Sequence, residues 1–122
     1  MAGRKNALPK FKVISAGNMS GNLTSAASNI EYTDNVGYQA NITGAGTAAG
    51  TLAVQVSIDH EQDSLGNVTV AGNWQTVATS TVSGNGVAVF DLNQLSAPWV
   101  RLIYTATSGA GSLDAFIAGK MI

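Results

Sequence analysis

Apolar and polar residues alternate along most of this chain. Leu52, Val54, Val56 and Ile58 fall on one side of an extended segment, with Ala53, Gln55, Ser57 and Asp59 on the other. A period of two is that of a half-buried β-strand, whose successive side chains point to opposite faces. The same period sets Phe11, Val13 and Ser15 against Lys12, Ile14 and Ala16, and Val36, Tyr38 and Ala40 against Gly37, Gln39 and Asn41. It sets Val87 and Val89 against Ala88, Phe90 and Leu92. It also sets Val100, Leu102 and Tyr104 against Trp99, Arg101 and Ile103, and Leu113, Ala115 and Ile117 against Asp114, Phe116 and Ala118. The segment from Trp74 to Val82 is rich in Thr and Val, which favour strands.

Turn residues separate these runs. Ser83-Gly84-Asn85-Gly86 and Ser108-Gly109-Ala110-Gly111 read as hairpin connections, because Gly and Asn accept the positive φ that tight turns need. Thr43 to Gly50 reads as a longer loop, and so does Asp59 to Ala71, with room for a short ribbon at Val68 to Val70. No segment shows a capped helical period; Asp91 to Leu95 has room for one helical turn at most. The pattern predicts an all-β fold of about eight or nine short strands, an antiparallel β-sandwich of jelly-roll type. A small closed barrel has the same signature.

The chain has 122 residues, enough for one domain with a real core. Charge is scarce: 11% of residues are charged, against about 25% in ordinary soluble proteins. Four of the six basic residues, Arg4, Lys5, Lys10 and Lys12, stand in the first twelve positions, with no acid among them. Residues 1–9 therefore read as a basic flexible arm joined at Pro9 to a single domain over 10–122. The arm is a candidate contact for an acidic neighbour. No apolar run is long enough for a signal peptide or a spanning helix, so neither export by that route nor a membrane is expected. A net charge of −1 gives no field to draw the chain to nucleic acid. A Thr- and Ser-clad surface with so few charges solvates poorly unless a partner covers part of it, which points to assembly.

Candidate chemistry is sparse. Cys is absent and there is one His, which excludes thiol catalysis and Cys-ligated zinc. Asp59, Glu61 and Asp63 flank His60 at alternate positions, like the start of a calcium loop. The match then fails, with Ser64 at the required Gly and Val70 at the bidentate acid. Asp59-His60 forms no catalytic dyad on a strand, where neighbours face apart, and no Gly-x-Ser-x-Gly elbow exists. The Gly44 to Gly50 loop has the wrong spacing for a dinucleotide site. No cofactor or metal is expected. Aromatic residues give two readings. Tyr32, Tyr38, Trp74 and Trp99 either pack internally or offer rings to a carbohydrate. Arg101 is expected to find an aromatic ring or an acid such as Asp114.

One resemblance rests on the pattern of strand and turn residues, with no catalytic fingerprint in it. Gly37 to Gln39, Gly50 to Asp59, Trp74 to Val77, Phe90 to Gln94, Pro98 to Thr105, Ser108 to Leu113 and Gly119-Lys120 follow one another in an order that resembles the small β-sandwich virion proteins of tailed bacteriophages. The resemblance covers roughly residues 30 to 120. It implies a non-enzymatic virion component assembled in the host cytoplasm, with capsid decoration or cement as the leading role. The expected partners are copies of itself, with a trimer favoured, and the major capsid protein or another virion protein. A tail or fibre accessory and a carbohydrate-binding module are the alternatives.

Overall fold

The computed structural model describes residues 8–31, 33–93 and 95–120. Eleven strands account for the regular structure of these residues, and no helix occurs among them. Seven strands are long: β1 (Leu8–Asn18), β4 (Asn35–Thr43), β5 (Ala49–Ser57), β8 (Gln75–Ser83), β9 (Gly86–Asn93), β10 (Trp99–Ser108) and β11 (Ser112–Lys120). Four are short: β2 (Leu23–Thr24), β3 (Ser28–Asn29), β6 (Glu61–Gln62) and β7 (Val68–Val70). One sheet has the order β1-β11-β4-β9. The other has the order β2-β10-β5-β8, with β3 also paired to β10. All pairings are antiparallel. The fold is the expected β-sandwich.

The core lies between the sheets. Val36, Tyr38, Ala40, Phe90, Leu113, Ala115 and Ile117 come from the four-stranded sheet. Leu52, Val54, Val82, Val100, Leu102 and Tyr104 come from the five-stranded one. These are the in-phase positions of the sequence alternation, and removing their apolar surface from water holds the layers together. The outer face of the five-stranded sheet exposes Thr51, Thr76, Thr79, Thr81 and Thr105.

Four expectations need correction. Neither Gly-rich turn makes a hairpin: Ser83 to Gly86 joins β8 to β9, and Ser108 to Gly111 joins β10 to β11, in each case passing between sheets. The Gly84 N–H donates to Ala48, across to another loop (2.8 Å). A tight turn fixes the reversal of direction, but strand pairing is decided by which face must be covered. Second, Ile58 is 72% exposed while Ser57 and His60 are buried. β5 ends at Ser57, whose hydroxyl donates to Asp59 Oδ1 and accepts the His60 N–H, turning the chain out of phase. Third, Asp91 to Asn93 continue β9 instead of starting a helical turn, because β4 supplies partners for them; Gln94 lies outside the described residues. Fourth, β1 begins at Leu8, inside the stretch read as an arm.

Candidate functional site

Two outer faces gather the side chains with chemical potential. The first is on the five-stranded sheet, where the segments flanking the β6–β7 ribbon, at His60 and Trp74, meet the start of β10 at Trp99. His60 sits between two indoles, with ring centroids 5.1 Å from Trp74 and 4.9 Å from Trp99. Its Nδ1–H donates to the Ala71 carbonyl (3.0 Å), since a carbonyl only accepts, and its Nε2 lies 2.8 Å from the Gln62 side-chain amide. The Arg101 guanidinium lies 4.2 Å from the centroid of the Trp74 ring and donates twice to Gln55 Oε1, at 3.0 and 2.8 Å. Gln55 is held in turn by its amide bond to Thr76 Oγ1 (3.2 Å). Partial burial lowers the Arg101 pKa, because desolvation disfavours its charged form.

Gly72 lets this cluster close. Its φ is +73°, and a Cβ there would come within 2.6–2.7 Å of the His60 backbone. Two of the three carboxylates that resembled a calcium loop, Asp59 and Asp63, are spent locally. Asp59 accepts the Asn73 backbone N–H (2.7 Å), the Asn73 side-chain amide (2.8 Å) and the Ser57 hydroxyl (3.0 Å), which ties both ends of the ribbon together. Asp63 accepts the Leu65 and Asn67 backbone N–H groups of the ribbon turn. These bonds favour the ionised form and lower both pKa values, with the Asn73 and Asn67 backbone donors as the leading causes. Among the described residues, no three His, Asp or Glu side chains gather where they could hold a metal ion.

The second face is on the four-stranded sheet. Across it, Phe116, Gln39 and Val89 form one register row, and Ala118, Gly37 and Asp91 form the next. The small residues of the second row leave a trough of about 590 Å³. Lys10 stands at the β1 end of the trough and Asp91 at the β9 end. The Lys10 and Lys12 ammonium groups lie 5.7 and 5.4 Å from the Phe116 ring centroid. Lys12 also pairs with Asp114 at 3.4 Å, an exposed bridge of small energetic weight. Asp114 accepts the Ala16 N–H (2.8 Å), and that bond is the first cause of its lowered pKa.

The residues singled out in the sequence therefore separate. Arg4 and Lys5 lie outside the described residues, as does Tyr32. Lys10 and Lys12 belong to β1 and line an aromatic face. Tyr38 is 1% exposed and offers no ring to a ligand, because its strand phase points it into the core. Burial also raises its phenol pKa. Trp74 and Trp99 are half-buried, with ring surface occupied by His60 and Arg101. Arg101 finds its ring in Trp74, while Asp114 lies on the other sheet. Sequence reasoning missed Phe116, Gln39 and Asp91 as a group. The one signal was Gly37 inside a strand, which marks a place where something approaches the backbone closely.

No protein-family model matches the chain, and no curated protein matches it. Solved structures share its fold. XepA, an exported protein of PBSX, superposes with a TM-score of 0.60 and 14% identity; the match covers 99% of this chain but spans only 38% of XepA. YomS, a protein derived from the SPBc2 prophage, superposes with a TM-score of 0.55 and 10% identity over 98% of this chain and 97% of its own. A chain of Triatoma virus gives a TM-score of 0.51 and 11% identity over 93% of this chain and 64% of its own.

Proposed function

We propose that the chain is a non-enzymatic structural protein of a tailed-phage virion, a capsid decoration or cement subunit present in many copies. The observation that carries this reading is a pair of open sheet edges. β8 and β9 are the outermost strands of their sheets on the same side of the sandwich, joined by one turn. β8 carries no charged residue and β9 only Asp91. Val77, Val87 and Val89 stand exposed on them. A protein that works alone blunts such edges with Lys, Pro or a covering loop; a lattice subunit has neighbours to cover them. The prophage origin of YomS, matched over its whole length, supports the same reading.

Arg4 and Lys5 then serve as an arm against an acidic neighbouring subunit. The assembly is a homo-oligomer, with a trimer favoured, seated on the major capsid protein. Size-exclusion chromatography with light scattering of the full chain tests the first part, with an oligomer expected that dissociates when Val87 and Val89 are both changed to Lys. Mass spectrometry of purified particles tests the second. Removing residues 1–7, which stops short of β1, should leave the domain folded and weaken particle attachment. A monomer at all concentrations that is absent from particles would falsify the proposal.

A further inference from the structure

The trough on the four-stranded sheet is required neither by the core nor by the open edges. It crosses β1, β11, β4 and β9, about 14 Å at the usual strand spacing. Its floor is Ala118 and Gly37, its wall is Phe116, and its ends carry opposite charges, Lys10 and Asp91. Gln39 Nε2 donates to Asn41 Oδ1 (3.1 Å), which orients both amides. Gln39 Oε1 remains as an acceptor and Asn41 Nδ2 as a donor, engaged by no other side chain in the hydrogen-bond network of the described residues.

We propose that this trough binds a neutral oligosaccharide, with Phe116 as the ring platform, Gln39 and Asn41 as amide contacts, and Lys10 and Asp91 meeting hydroxyls at the two ends. A sugar hydroxyl donates and accepts at once, and the trough offers both functions in balance beside an apolar ring. An apolar ligand would strand the amides and the carboxylate without partners. A polyanion would meet Asp91 and lacks the row of basic residues that tracks a phosphate backbone. The trough is open and crosses several strands, which suits a chain better than a single ring. Lys10 and Lys12 are both long and exposed, and both swing off Phe116 when a sugar ring takes their place. The proposal does not rest on particle attachment: β9 lends Val89 and Asp91 to both features, but the ring platform and the amides, Phe116, Gln39 and Asn41, belong to β11 and β4 and not to the open edges.

The test is a titration of the full chain with cello-, malto-, xylo-, manno- and chito-oligosaccharides, with oligogalacturonate as the charged comparison, followed by two-dimensional amide NMR. At least one neutral sugar should shift the Gln39, Asn41, Asp91 and Ala118 amides and leave the Trp74 and Trp99 indole N–H signals in place. Phe116→Ala should weaken that binding about tenfold, and Ala118→Leu, which fills the floor from an exposed position, should abolish it. The amide spectrum away from the trough reports whether each variant is folded. If Ala118→Leu is not, Gln39→Ala at an exposed position must show the same weakening as Phe116→Ala. The proposal is overturned if no neutral sugar shifts any amide, if oligogalacturonate alone binds, if the shifts centre on the indoles, or if folded trough variants bind as tightly as the parent.

Discussion

On the outer face of the five-stranded sheet, His60, Trp74, Trp99 and Arg101 fill one another's surfaces. On the outer face of the four-stranded sheet, Phe116 stands over a trough floored by Ala118 and Gly37. Both faces have rings, amides and a cation. The difference lies in what stands beside them. The ribbon brings a buried imidazole and two structural carboxylates to the first face, so its rings are committed to holding the ribbon down. Among the described residues no element covers the second face, and its small residues leave the ring a neighbouring space. An aromatic residue is available to a ligand when what lies over it is a long exposed side chain that can move aside, as Lys10 and Lys12 can from Phe116, and not when a packed ring has claimed its surface.

The sharpest way to break this contrast is His60→Ala. It removes a 5%-exposed ring together with both of its hydrogen bonds, leaving a cavity between the indoles. The expected loss is about 2–4 kcal/mol in denaturant unfolding, with the Trp fluorescence maximum moving to the red. Gly72→Ala should cost about 2 kcal/mol by the same measurement, because the residue has positive φ and its Cβ would press on the His60 backbone. Arg101→Ala removes a stacked, partly buried guanidinium and should cost about 1 kcal/mol. Phe116→Ala should cost under about 1 kcal/mol, since its ring is half-exposed and holds no element in place. A larger loss at Phe116 than at His60 would reverse the comparison.

A pH series sharpens it further. Asp59, Asp63 and Asp114 all have pKa values lowered below the ordinary 3.8 in the folded state. Their contribution to stability is therefore complete above that value and is lost as pH falls through the lowered folded values. The melting temperature should drop on acidification below about pH 4. Asp59→Asn should flatten that drop, and because Asp59 ties the ribbon, the flattening should be seen by Trp fluorescence.

Much of the fold was legible along the chain. The alternation at Leu52 and Val54, at Val36, Tyr38 and Ala40, and at Val100, Leu102 and Tyr104 placed those residues in the core, where they lie. The turn residues at Ser83 to Gly86 placed a reversal there but not its consequence, since positive φ is a local property and strand pairing is not. The slip at Ile58 was hidden because it depends on the Ser57 hydroxyl finding Asp59 and His60. The candidate site was less legible. The Trp residues drew attention by type, while Phe116 has no motif around it.

The sequence by itself determined that the chain forms amphipathic strands, where they reverse, and that little charge would cover them, because each of these is a property of neighbours in the chain. Only the tertiary structure decided that Ala118, Gly37 and Asp91 form one row and that β8 and β9 are left as edges. Register and sheet order join residues far apart in the chain, and they are selected by how the whole set of apolar faces can be buried at once.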